Sequence, residues 1–305
     1  MLQPINITVN DNFKYNYLIK SIELDDILQY DKEKYNSSNH WKDNIKPDNY
    51  DFIISQTHTS KWIDLFKNYK KIIIDNSIYI KWIKQANIIC SQTGKFSNLF
   101  LDEFESMTQQ LNEQYKELFN GDKYFVRVND VSLKSGQHKT GPYYEMKTIL
   151  ESIVSCTDSH TPIKKNINKL EIYLIDWIEV VPKDEFRVFV FNKKITSISQ
   201  QNLYSKLYNN CENIDKKEFE KMIKNKLNII VNYFYDTIKN KINWIDSYTI
   251  DIAIIDSQPY FIEINCFGKE FAAGSALFHW ILDEQILYND FDFTNNNIIE
   301  FRYTV

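Results

Sequence analysis

Residues 249–265 read TIDIAIIDSQPYFIEIN, two runs in which isoleucines alternate with polar or small residues across Asp256, Ser257, Gln258 and Pro259. Alternation with a period of two, broken by turn formers, is the pattern of a β-hairpin. Burial selects its register. Pairing Ile252 with Ile264 and Ile254 with Ile262 puts four isoleucines on one face, whereas a one-residue slip mixes them with acids. That register sets Asp251 across from Asn265 and Ala253 across from Glu263, and it requires an odd loop such as Ser257–Pro259. Two carboxylates and an amide oxygen then lie within cross-strand reach. Hard oxygen donors of this kind suit Mg²⁺, which keeps waters and draws its other ligands from phosphates. A hairpin with one solvated polar face is the plainer reading of the same pattern.

Two more groupings carry charge. In YFVRVND (124–130), Arg127 points away from Val126 and Val128, and Lys134 follows at the entry to the loop SLKSGQHKTGP. Two cations beside a flexible Ser/Gly loop able to turn its backbone N–H groups inward would suit a polyphosphate. The loop has no Walker A spacing, which disfavours a P-loop NTPase. In DEFRVFVF (184–191), Glu185 and Arg187 share one face of a strand. Arg187 can reach a phosphate, and Glu185 a metal, a ribose or the arginine itself.

Around these motifs lies a chain of 305 residues with 43% hydrophobic and 15% aromatic content, a globular composition. Its formal charge of -5 argues against a nucleic-acid partner. Four separated cysteines, with no C-x-x-C pair, fit free thiols in a reducing compartment. The first residues carry no leader pattern and no apolar run spans a bilayer, so the expectation is a cytoplasmic protein without a membrane partner.

The expected elements are a strand at 50–54, a helix from Ser60, a strand at 71–75, a helix over 98–119, strands either side of a helix at 145–155, and a helix over 215–239. The last presents Phe219, Ile223, Leu227, Ile230, Phe234 and Ile238 as one stripe. This is an α+β chain divided as 1–120, a small parallel-type α/β lobe, then 121–178 and 179–305.

The stretches YLIDWIEVVPKDEFRVFVFNKKITSISQQNLY and YTIDIAIIDSQPYFIEINCFG…SALFHW resemble the ATP-grasp superfamily, and within it the cell-division-cycle 123 family. The first has a tryptophan, a proline five residues on, then E-F-R-x-F-V and I-S-Q. The second has an aspartate strand and an E-x-N strand followed by leucine, phenylalanine and tryptophan. The altered loop NDVSLKSGQHKTGP also resembles that of small viral and bacterial ATP-grasp proteins. The resemblance implies an ATP-grasp fold of two α+β lobes gripping ATP, preceded by the small N-terminal lobe. It assigns Arg127 and Lys134 to the phosphates, the backbone of Leu174, Ile175 and Asp176 to the adenine with Trp177 behind it, and Arg187 to the terminal phosphates. With Glu185 beside them, Arg187 and Lys134 are the catalytic candidates, and Asp251, Glu263 and Asn265 are the Mg²⁺ ligands. Three functions stay open. One is an ATP-dependent assembly factor for translation initiation factor 2, through its gamma subunit. Another is a ligase joining a small carboxylate to an amine through an acylphosphate. The third is a nucleotide-binding scaffold without catalysis.

Overall fold

The run Glu185-Phe-Arg-Val-Phe-Val-Phe191 forms a central strand because its apolar residues are plentiful on both faces, and Phe186, Val188, Phe189 and Val190 are all fully buried. In the computed structural model, which describes residues 15–157, 160–207, 215–271, 273–288 and 298–305, this strand is β5. The others are β1 (Asn16–Ile22), β2 (Tyr69–Ile74), β3 (Tyr124–Val128), β4 (Leu170–Asp176), β6 (Lys194–Gln200), β7 (Tyr248–Ile255), β8 (Gln258–Cys266) and β9 (Ile298–Thr304).

The chain divides into two units, one made of Met1–Gln56 with Val180–Val305, the other of Thr57–Glu179. The first holds a six-stranded sheet in the order β1-β9-β6-β5-β7-β8. It is parallel where β9 meets β1 and β6, and antiparallel elsewhere. The second holds the antiparallel sheet β2-β4-β3. The α+β expectation therefore holds.

Register gives the larger sheet two unlike faces. One carries Ile19, Phe301, Ile198, Val188, Ile250 and Ile264 in a row of paired neighbours. The helix Lys216–Tyr233 covers this face, with Tyr17 Oη donating to Asn228 Oδ1 (2.7 Å) and Phe219 packed on Tyr303. All six stripe residues, Phe219 through Ile238, are buried as their spacing requires. The opposite face carries Lys20, Arg302, Ser199, Arg187, Asp251 and Glu263, again as successive cross-strand neighbours.

The sequence reading is corrected in three places. Residues 50–54 are not a strand; they lie in the helix Tyr50–Gln56, and Phe52 stays 64% exposed. A five-residue apolar run has no period to separate strand from helix, and no sheet edge receives this one. Consequently β2 joins no parallel lobe. Residues 15–56 belong with the six-stranded sheet through β1, and residues 57–120 with the smaller sheet through β2, so 1–120 is not one body. The hairpin turn has two central residues, Asp256 and Ser257, both at positive φ (49° and 60°), and pairs Ile255 with Gln258. That register alone would put Asp251 opposite Ile262. A bulge leaves Ile262 unpaired and restores the alternation, giving Asp251↔Glu263, Ile250↔Ile264 and Thr249↔Asn265. Ile252, Ile254 and Ile264 are buried as expected, and Phe261 takes the place foreseen for Ile262.

Cys90, Cys156 and Cys266 are free and buried; Cys211 lies outside the described residues, as do residues 1–14, where a leader was sought. No helix among the described residues is long and apolar enough to cross a membrane.

In the smaller unit the loop after β3 is fastened to the helix Met146–Ser155, and Gly136 sits against that helix's backbone. A Cβ on Gly136 would stand 2.4 Å from the carbonyl oxygen of Ser152. Gly136→Ala should lower stability by ~1–3 kcal/mol through forced displacement of the loop, read as a lower urea midpoint at unchanged slope.

Candidate functional site

Cross-strand pairing sets Arg187 of β5 directly opposite Asp251 of β7. The guanidinium meets the carboxylate as a two-pronged fork, with Nε to Oδ1 at 2.9 Å and Nη2 to Oδ2 at 2.7 Å. The remaining nitrogen, Nη1, donates to the carbonyl of Gly274 at 2.5 Å. Both side chains are almost wholly out of water, at 7% and 1% exposure. The sequence had assigned one to phosphate and the other to metal; the fold joins them.

Two more acids and two amides surround the pair. Glu263 is the partner of Asp251 on β8, and Glu185 stands two residues before Arg187, both half-buried. Asn265 Nδ2 lies 3.4 Å from Asp251 Oδ2 and 3.3 Å from Glu263 Oε1. Gln201, which the sequence reading missed, donates Nε2 to Asp251 Oδ2 at 3.4 Å. Burial pushes the Asp251 carboxyl up, Arg187 pulls it back, and Glu263 beside it pushes it up again, for a net rise. One guanidinium thus faces several carboxyl groups, and the excess is negative.

This donor set fits a hard cation. It is all oxygen from carboxylates and amides, and among the described residues no three His, Cys, Asp or Glu side chains close a cage on their own. Two buried oxygens at its edge, Gln201 Oε1 and Thr249 Oγ1, have no hydrogen-bond partner among the described residues. An open set with orphaned oxygens suits a cation that brings water and phosphate as its other ligands.

The loop over this face is held from several sides. Ser199 Oγ accepts from the N–H of Leu277 (3.1 Å), and Arg302 donates to the Leu277 carbonyl and forks onto Asp283 (2.8 and 2.6 Å). Ser37 and Ser275 bond each other, and Ser37 Oγ accepts from the N–H of Trp280 (2.8 Å). A Cβ on Gly274 would lie 2.6 Å from Asn36 Oδ1. Residues 36–37 therefore wedge the carbonyl that Arg187 uses. Gln200 of the I-S-Q segment is saturated, bonding Asn202, Ser205 and Thr304, and its role is structural.

The candidates of the smaller unit stand differently. Arg127 is 5% exposed, its guanidinium 5.0 Å over the Trp62 ring and its Nε 3.3 Å from Thr59 Oγ1. Lys134 is exposed. The loop behind it offers little to an anion. The N–H groups of Gly136, Gln137, His138, Lys139 and Gly141 donate to Leu133, Ser155, Ser152, Gly136 and His138 respectively. The reading of a flexible loop with inward N–H groups is corrected accordingly, because helix serines and local turns take those donors. Leu174 and Ile175 are buried in β4, which is paired on both sides. On the β2 side pairing ends at Ile175, so Asp176 is the first residue whose backbone faces an open edge, and Trp177 N–H goes to Lys123. Trp177 Nε1 donates to Glu179 (2.9 Å).

The sequence model of the D123 family matches residues 143–304, more than half of the chain. The chain belongs to the D123 (Cdc123) family. No curated protein sequence matches it. Cdc123 from Schizosaccharomyces pombe is similar in structure, with a TM-score of 0.53 at 17% identity over 84% of this chain and 99% of that one. The C-terminally truncated Cdc123 from the same organism gives 0.51 at 15% identity over 85% and 99%. A RimK domain protein ATP-grasp from Sphaerobacter thermophilus gives 0.34 at 8% identity over 70% and 60%. The D123 match includes Leu174 to Trp177, Glu185, Arg187, Asp251, Glu263 and Asn265, and leaves Arg127 and Lys134 outside.

Two outcomes follow from these charges. Asp251→Asn leaves Arg187 buried without its counter-ion, a change of about 3–5 kcal/mol, whereas Glu263→Gln removes surplus charge and should leave metal-free stability equal or higher. Chemical denaturation of both variants checks this. In the smaller unit, burial pushes Asp130 up, but His58 and Lys164 outweigh it and hold its carboxyl at about 2. Its folded value is below the unfolded ~3.9, so its contribution is present above about pH 4 and lost as pH falls toward 2. Asp130→Asn should flatten the fall in stability measured between pH 5 and 2.

Proposed function

We propose that this D123 protein binds Mg-ATP and uses it to act on a protein partner resembling translation initiation factor 2. The carrying observation is the Arg187–Asp251 fork with Glu263, Asn265 and two orphaned oxygens around it. Asp251, Glu263 and Asn265 would hold Mg²⁺, whose chemistry is to neutralise charge on the phosphates. Arg187 is the counter-ion of Asp251 without ligand, and its planar fork is equally suited to phosphate oxygens. With a cation held at Asp251, Arg187 would be available to the phosphates. Lys134, being exposed, is the proposed phosphate contact of the smaller unit. Arg127, stacked on Trp62, supports the fold around that contact, and the adenine edge is best met at Asp176 and Trp177, past the saturated backbone of Leu174 and Ile175.

A carboxylate–amine ligase is the second reading, favoured by Glu263 and Asn265 sharing one face of β8 as an E-x-N strand. Both readings share the nucleotide site. They part on the product: ADP release coupled to partner assembly without added mass, or a new amide.

A thermal melt tests the shared step. The parent should shift upward with Mg-ATP, by about 2.7 kcal/mol at a hundred times Kd, and little with Mg²⁺ alone because Arg187 already occupies Asp251. Arg187→Lys, which keeps the charge and loses the fork, should lose most of that shift. A parent unmoved by Mg-ATP ends the proposal.

A further inference from the structure

Gln201 follows β6 and is fixed at both ends. Its backbone N–H donates to the carbonyl of Glu185 at 3.0 Å, and its Nε2 to Asp251 Oδ2. The amide has one sensible orientation, since the reverse would set its oxygen against a carboxylate. Oε1 is then the other arm of the amide, in a buried position where no described residue donates to it. Thr249 Oγ1 is in the same condition. Thr249 stands two residues before Asp251 on β7, on the same face and opposite Asn265, and is fully buried. Buried polar atoms are normally paired, and these two orphans belong to a residue bonded to Asp251 and to one two positions before it on β7.

We infer that Gln201 Oε1 is a further oxygen donor to the cation held by Asp251, Glu263 and Asn265, and that Thr249 Oγ1 donates to a water or phosphate oxygen of that cation. The inference rests on the Mg-ATP reading and adds two residues to it. A neutral amide is the fitting donor. The cluster already sets Asp251, Glu263 and Glu185 against one guanidinium, and another carboxylate would retain free cations and repel the phosphates that Arg187 must meet. Gln201 adds coordination without charge, which biases the site toward a cation already carrying a nucleotide.

Mn²⁺ in place of Mg²⁺ makes this measurable, because electron paramagnetic resonance counts the free ion directly. In the presence of ATP, Gln201→Met should weaken Mn²⁺ binding about tenfold while its ligand-free melting temperature holds or rises. Gln201→Glu, which keeps the shape where methionine perturbs packing, should bind Mn²⁺ more tightly than the parent without ATP. Thr249→Val should weaken Mn²⁺-ATP binding and leave the metal-free melt unchanged. Glu263→Gln is the reference. If it weakens Mn²⁺ binding while both Gln201 variants match the parent, the metal site stands and the role given to Gln201 is overturned. If Glu263→Gln itself binds as the parent does, the metal-site reading fails first.

Discussion

A guanidinium and a carboxylate withdrawn from water are stable only together, and the larger unit is arranged around that condition. Arg187 and Asp251 face each other across adjacent strands, so the backbone ladder sets their spacing before any side chain moves. The pair forgoes much hydration, which the two-pronged contact and the Gly274 carbonyl replace. That carbonyl is available only because the loop after β8 is pinned by Ser199, Arg302 and the segment at residues 36–37. Segments far apart in sequence thus converge on one ion pair. The opposite sheet face, largely apolar under the helix Lys216–Tyr233, supplies burial that offsets the cost of such a polar face.

The smaller unit solves a related problem without a central ion pair. Its glycine-containing loop looks free in sequence, yet Ser152 and Ser155 accept its N–H groups and Gly136 lets it lie flat on their helix. Rigidity is gained and anion-binding capacity is given up. Arg127, a cation in the pattern of a phosphate ligand, is instead packed between Trp62 and Thr59. Lys134 stays exposed, and pairing of β4 with β2 ends at Ile175.

In the larger unit the ion pair has a functional consequence under the proposed reading. Arg187 neutralises Asp251 in this fold, so a cation would compete with the arginine for the carboxylate, and phosphate would offer the arginine a second partner. Affinity for the cation and affinity for the nucleotide would then be linked rather than independent.

Sequence alone determined a good part of this. Periodicity gave the hairpin, its polar face and the buried helix stripe, since burial leaves one workable phase for alternating isoleucines and for residues spaced by three and four. The quoted motifs gave the family resemblance, which the D123 match bears out. Sequence did not determine how residues 15–56 and 57–120 are shared between two sheets, because strand partners of β1 and β2 lie hundreds and about a hundred residues away. It missed the bulge at Ile262, where turn geometry and burial disagree by one residue and only the folded ladder reconciles them. It also read Arg187 and Asp251 as separate ligands and passed over Gln201, for side chains on different strands become partners only when register brings them opposite. Local pattern fixes which face a residue takes; long-range pairing, which carries no local signal, decides what it meets there.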